Sequence, residues 1–180
     1  MDAKTLCLGV LARGDASGYE IKKSFEEGPF AHIQAASFGS IYPALNRLSE
    51  DGLLTCREEP QDKRPDKKVY SITPAGREAL AARLMTPPAP DRVSSDFLFI
   101  LFFAHLLPTP LLGEFIDQRI AWYEASLARM EGCGVAARPP GERFVHGFGL
   151  AWYTAAARYL RAHRDDLLAE LNESTSLVAE

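Results

Sequence analysis

Residues 39–51 carry side chains that can recognise a nucleic acid. Ile41, Leu45 and Leu48 recur at the spacing of one apolar helix face, so the sequence predicts an amphipathic helix here. The opposite face holds the polar and aromatic side chains Ser40, Tyr42, Pro43, Asn46 and Arg47. An amide can pair with adenine and a guanidinium with guanine or phosphate, which makes this a candidate recognition helix. The alternative is an amphipathic helix whose polar face is only solvated.

A cluster of positive charge follows this helix. Strands are predicted over residues 53–58 and 67–73, and they form a hairpin whose loop is residues 60–66. In this hairpin, the wing over residues 60–68, the segment 63–68 carries one anion, Asp66, and four cations, Lys63, Arg64, Lys67 and Lys68. A basic loop tip can reach a minor groove or flanking phosphates. A solvated charged turn is the alternative.

The net charge of −4 at first argues against a nucleic-acid partner. The charge is unevenly distributed, however. Residues 1–86 contain 12 Lys and Arg against 12 Asp and Glu, whereas residues 87–180 contain 8 against 12. The first half is therefore neutral, and its affinity for DNA depends on where its cations lie.

The order of elements predicts the fold class, mainly α with a small two-stranded β wing. Three helices near residues 2–12, 17–27 and 37–51, the hairpin and a fourth helix to residue 85 make a winged helix-turn-helix domain over residues 1–86. Three prolines within residues 87–92 indicate a stiff linker. Residues 93–180 read as helices near 94–107, 109–131 and 141–171, an α-helical domain.

Four strings in the first half carry a family resemblance. They are Gly18-Tyr19-Glu20-Ile21, then Ser37-x-Gly39-Ser40-Ile41-Tyr42-Pro43-Ala44-Leu45-x-Arg47-Leu48, then Gly52-Leu53-Leu54, then Val69-Tyr70-x-Ile72-Thr73-x-x-Gly76-Arg77. In this order and spacing, over about residues 3–85, they resemble the PadR family of bacterial transcriptional regulators. The family often has Gly-Pro-x-His before the first string. Here Gly14-Asp15-Ala16-Ser17 stands instead, so no role for that histidine is expected.

The resemblance implies a dimer that binds a two-fold related operator, usually as a repressor. It also implies that Tyr19, Ser40, Tyr42 and the wing cations lie near DNA. Together with the residues chosen above, the candidate DNA contacts are Tyr19, Ser37, Gly39, Ser40, Tyr42, Pro43, Asn46, Arg47, Lys63, Arg64, Lys67 and Lys68.

The second half is expected to make the dimer and to sense an effector. Residues with 4, 3, 4, 3 spacing form an apolar seam of the coiled-coil type, namely Ile116, Ile120, Tyr123, Leu127 and Met130. A second apolar series runs from Val145 to Tyr159, and the two seams can pack on each other, on a second copy of the chain, or on both. Family members often respond to small aromatic or hydrophobic ligands, for which Trp122 and Trp152 are the candidates here. Aromatic core packing is the alternative.

Other functions are less well supported. The three cysteines form no CxxC pair, the four histidines lack metal-binding spacing, and no catalytic set is evident, so we expect no metal, no cofactor and no enzyme activity. The longest apolar run, residues 97–107, is too short to cross a bilayer, and the N-terminus lacks the layout of a signal peptide. A cytoplasmic protein without a membrane partner is expected. The alternative function is a winged-helix protein–protein interaction module without DNA binding.

Overall fold

The computed structural model describes residues 1–28, 30, 38–61, 64–91, 94–134 and 136–178, without the side chains of residues 38, 61, 64–66 and 174–178. It divides the chain into two compact units, Met1–Pro90 and Asp91–Glu180. The division falls within the predicted proline-rich segment. No helix among the described residues is long and apolar enough to cross a membrane.

The first unit is a helical domain with a small antiparallel sheet. Its described elements are α1 (Ala3–Leu11), β1 (Ala16–Ser17), α2 (Gly18–Glu26), α3 (Phe38–Glu50), β2 (Leu54–Gln61), β3 (Arg64–Ile72) and α4 (Pro74–Leu84). One apolar core joins α1, α2, α3, the strands and α4. The α3 stripe of Ile41, Leu45 and Leu48 lies at its centre. The winged helix-turn-helix prediction is confirmed.

The helices begin at residues that can cap them. Ser17 and Glu20 form a capping box, in which the Ser17 hydroxyl accepts from the Glu20 amide and the Glu20 carboxylate accepts from the Ser17 amide. The Glu20 carboxylate also accepts from the Ser17 hydroxyl, and these bonds from the Ser17 amide and hydroxyl, with one from Lys67, lower the pKa of Glu20 to about 2. Thr73 caps α4 in front of Pro74, since threonine suits an N-cap and proline suits the first helical turn.

The sheet is larger than predicted. It has three strands in the order β1-β3-β2, because Ala16 and Ser17 pair with Tyr70 and Val69. The hairpin strands also extend to residues 61 and 64, so the predicted loop over residues 60–66 is wrong in extent. Opposite charges face each other across the ladder at Glu58 and Lys68, which supports pairing beyond the apolar part of the strands.

The second unit contains α5 (Asp96–Phe102), a single 3₁₀ turn at Ala104–Leu106, α6 (Thr109–Glu131) and α7 (Pro140–Val178). The predicted helix over residues 94–107 is therefore shorter and ends in a tighter turn. Helices α6 and α7 pack on each other, and Arg164 of α7 donates two hydrogen bonds of 2.7 Å to Asp117 of α6.

The predicted α6 seam packs mainly within the chain. Ile116 is 1% exposed and packs with Ile120 against Leu160 and Leu168 of α7. Further along the seam, Met130 is buried. These side chains pack within one chain, which is one of the arrangements that the seam allows. Their assignment to a dimer contact stays a prediction.

The second apolar series lies on a different face of α7. Its large side chains are exposed in the single chain, namely Val145, Phe148, Trp152 and Tyr159. The neighbouring Phe144 is exposed as well. Exposed aromatic side chains in a row are typical of a surface that another molecule covers. Leu84 at the end of α4 is another exposed apolar side chain, 59% exposed.

Gly76 offers a test of how α4 packs on the sheet. A Cβ atom at this position would lie 2.2 Å from the Leu53 carbonyl oxygen, which is backbone and cannot turn aside. We expect Gly76→Ala to lower the free energy of unfolding of the first unit by about 1–3 kcal/mol, the usual cost of overpacking. Thermal unfolding followed by circular dichroism measures this change.

Gly9 in the middle of α1 provides the matched control, since nothing lies within 4 Å of its Cβ position. Gly9→Ala should stabilise by up to about 1 kcal/mol, because alanine is the better helix residue. Equal effects of the two substitutions would contradict the packing of α4 described here.

Candidate nucleic-acid interface

The outward face of α3 forms one continuous stripe. Because the apolar residues fix the rotation of the helix, the exposed positions repeat at three and four residues along the opposite side. We call this stripe the reading face; its members are Gly39, Tyr42, Pro43, Asn46, Arg47 and Glu50. Ser40, also predicted as a contact, is only partly exposed at the edge of the stripe.

Pro43 lies inside α3, which begins at Phe38, close to the predicted start near residue 37. A proline has no N–H, so the Gly39 carbonyl lacks the donor that a regular helix would supply four residues later. Gly39 has open space around its Cβ position. The first turn of the reading face therefore presents backbone as well as side chains.

Tyr42 is held by a close contact with the start of α2. Its ring packs on Gly18, where a Cβ atom would lie only 2.6 Å from Tyr42 Cε1. Tyr42 also lies near enough to Tyr70 of β3 to interact with it. The pKa of Tyr70 is raised, mainly by burial and further by the adjacent Cys56 and Tyr42. Tyr42 is still 53% exposed, so it is a positioned aromatic side chain on the surface.

The strand register places one wing cation on the same side as α3. Cys56 pairs with Tyr70 and Glu58 pairs with Lys68, and alternate pairs share a sheet face. Lys68 and Glu58 therefore lie on the same sheet face as Tyr70, farther towards the wing tip. Lys67 points to the other face, where its Nζ donates to Glu20 at 2.9 Å.

The described cations of this surface are matched by carboxylates. Arg47 Nη1 lies 3.6 Å from Glu50, and Lys68 Nζ lies 3.8 Å from Glu58. Arg57 contacts both Asp15 and Glu59, and these pairs hold the pKa of the Arg57 guanidinium above and the pKa of the Asp15 carboxyl below their usual values. Lys67 and Lys68, the two wing cations whose side chains are described, are thus each paired with a carboxylate.

The predicted contacts can be compared with this geometry. Tyr42, Pro43, Asn46 and Arg47 share the reading face, and Tyr19 is exposed on α2. Ser37 and Lys63 lie outside the described residues, as does the side chain of Arg64. The sequence-based selection omitted Gly18, Glu50, Glu58 and Tyr70. Only tertiary contacts and strand register bring Gly18, Glu58 and Tyr70 to this surface, whereas Glu50 could have been found from the helical period.

Comparison with known proteins places the chain among transcriptional regulators. Residues 7–82 match the family model described as the transcriptional regulator PadR-like family. The chain is similar to the crystal structure of the PadR-like transcriptional regulator BC1756 from Bacillus cereus, at 30% identity and a TM-score of 0.76, covering 94% of this chain and 99% of that one.

A second relative is the negative transcriptional regulator PadR of Bacillus subtilis, 28% identical over 130 residues, which are 72% of this chain and 71% of that protein. Its crystal structure in complex with operator DNA has a TM-score of 0.70 at 25% identity and covers 93% of this chain and 98% of that one. Another crystal structure of the same relative contains p-coumaric acid, at 23% identity and a TM-score of 0.60, covering 94% of each chain.

The contact with Gly18 predicts that the Tyr42 ring must be held in its observed position for DNA binding. We expect Gly18→Ala to displace the Tyr42 ring and to weaken DNA binding by on the order of 10-fold, equivalent to about 1.4 kcal/mol. Tyr42→Ala should cost at least as much, and adding Gly18→Ala to it should cost little more. Fluorescence anisotropy with DNA from upstream of the gene measures all three variants.

Gly14→Ala is the matched control, because nothing lies within 4 Å of that Cβ position. It should leave DNA affinity unchanged. Additive losses from Gly18→Ala and Tyr42→Ala would mean that the two residues act separately.

Proposed function

Because the chain belongs to the PadR-like family of transcriptional regulators, we propose that it is a dimeric repressor that binds a two-fold related operator. In this proposal the reading face of α3 enters the major groove, and the wing contacts flanking phosphates. DNA-binding transcriptional regulation is the activity on which the family match and the relative's operator complex agree.

The observation that carries the proposal is the reading face itself. Its polar and aromatic side chains project from a helix whose other face is buried, and a helix in this setting is narrow enough for the B-DNA major groove. Tyr42 and Asn46, on successive turns, are proposed to contact bases. Arg47, farther along, is proposed to hold a phosphate together with Lys68 of the wing.

The dimer is proposed to form through the exposed apolar stripe of α7. Two recognition helices must lie about 34 Å apart to read successive major-groove faces, so a second copy is what operator binding requires. The α6 seam is the less favoured surface, because Ile116, Ile120 and Met130 are already buried within one chain. A stripe of exposed Phe148, Trp152 and Tyr159 has more apolar area left to cover.

A small aromatic or hydrophobic effector is the proposed signal that releases DNA. Trp122 and Trp152 both stand beside Tyr153, with ring centroids 5.5 and 6.4 Å from it, and Arg119 lies 5.4 Å above the Trp122 ring. The aromatic rings can stack on a planar ligand, and the Arg119 guanidinium can pair with a carboxylate of that ligand. The p-coumaric acid complex of the relative makes aromatic acids the first class to examine.

The alternative of a protein-docking module has no observation in its favour. A docking face is usually apolar at its centre, whereas the reading face is polar and charged. DNA binding and protein docking predict different effects of salt on the affinity for DNA, so a salt titration decides between them.

Binding to DNA from upstream of the gene tests the proposed function. The protein should bind one segment of this DNA far more tightly than a scrambled duplex of the same length, and the affinity should fall steeply with added salt as phosphate contacts are lost. Equal binding of the two duplexes would contradict sequence-specific regulation. Absence of binding at low salt would favour the docking alternative.

Charge on the α7 stripe should disrupt the dimer. Phe148 is 63% exposed in one chain, so Phe148→Glu should fold normally but bury a carboxylate between copies. We expect a monomer by sedimentation and an operator affinity lower by about 100-fold or more, because the second half-site is no longer linked.

Leu84→Glu on α4 is the control, at a similarly exposed apolar position. It should remain dimeric. If Phe148→Glu is also dimeric while Leu127→Glu, at a partly exposed position of the seam, folds as a monomer, the α6 seam is the interface and the stripe is not.

A further inference from the structure

The acidic side chains of the DNA-binding surface have no part in the proposed function so far. Glu50 is the last member of the reading face, four residues after Asn46, and its carboxylate lies 3.6 Å from the Arg47 guanidinium. Glu58 lies directly across the ladder from Lys68, on the sheet face that Tyr70 shares. Each carboxylate thus sits at a cation that the proposed function assigns to phosphate.

These pairs contribute little to the fold. The four side chains are between 61% and 66% exposed, and exposed ion pairs contribute only about 0.2–1 kcal/mol each. Neither glutamate caps a helix or fills the core. Their position on the surface therefore calls for a reason other than stability.

A phosphate that approaches Arg47 or Lys68 meets a carboxylate already there. Either the carboxylate moves away and its ion pair is lost, or it stays and repels the phosphate. Both cases reduce the gain from each cation by the same amount on every DNA sequence, because phosphates carry no sequence information. The equal numbers of acids and bases in residues 1–86 agree with a surface balanced in this way.

We propose that Glu50 and Glu58 limit affinity by competing with DNA phosphate for Arg47 and Lys68. This inference rests on the proposed function. The two carboxylates lower the affinity for operator and for unrelated DNA alike, and they leave discrimination to the base contacts of Tyr42 and Asn46. The protein then spends less time on unrelated DNA, which a genome offers in great excess.

The test compares Glu50→Gln, Glu58→Gln and the double variant with wild-type protein, using the upstream duplex and its scrambled version at several salt concentrations. Glutamine keeps the shape and removes the charge. Each single variant should bind both duplexes about 2-fold to 5-fold more tightly at low salt. The slope of log K against log salt should steepen by up to about one per carboxylate. The ratio of the two affinities should stay the same.

Glu78→Gln is the matched control, since it removes one exposed carboxylate from α4, outside the reading face and the wing. Its affinities and its slope should equal those of the wild type. Circular dichroism and thermal unfolding establish that all the variants are folded.

Three outcomes would overturn the inference. If the variants bind like wild type, the carboxylates do not face phosphate, and the proposed function still stands. If the upstream duplex is bound less tightly and the scrambled duplex is unaffected, Glu50 or Glu58 reads a base, since a carboxylate can accept from cytosine N4. If wild-type protein binds neither duplex, the proposed function fails, and this inference fails with it.

Discussion

The burial of one face of α3 is the constraint on which the whole interface depends. Ile41, Leu45 and Leu48 are almost fully buried against α1 and α2. Turning the helix about its axis would expose these side chains, at a cost of about 1.5–3 kcal/mol each. The helical period then determines which residues face outward, so the reading face is fixed as firmly as the core itself.

The wing is tied to that helix by a second set of contacts. Tyr70 is buried and interacts with Cys56 and Tyr42, and Tyr42 in turn packs on Gly18 at the start of α2. One chain of contacts therefore runs from the sheet to the reading face. It places Lys68 and its partner Glu58 on the same side as Tyr42, and the surface that results carries balanced charge and not a purely basic patch.

Much of this architecture is predictable from local sequence signals, because the α3 stripe, the cap at Thr73 and the apolar strand residues each carry their own pattern. β1 could not be predicted, since two residues form a strand only by pairing with β3. The Gly18 contact likewise exists only in the folded chain. Periodicity also could not tell whether the seam through Ile116 packs on α7 or on a second copy, because both make the same pattern. The exposed stripe at Phe148 shows which apolar face is left uncovered.

The most direct test of the central claim is a methylation-protection footprint of the protein on the upstream DNA, because dimethyl sulfate reports on guanine N7 in the major groove. A recognition helix from each of two subunits should protect guanines in two clusters about one helical turn apart. Protection of a single cluster would contradict the dimer. Unprotected major-groove guanines across a DNA segment that the protein nevertheless covers would contradict the assignment of α3 as the reading helix.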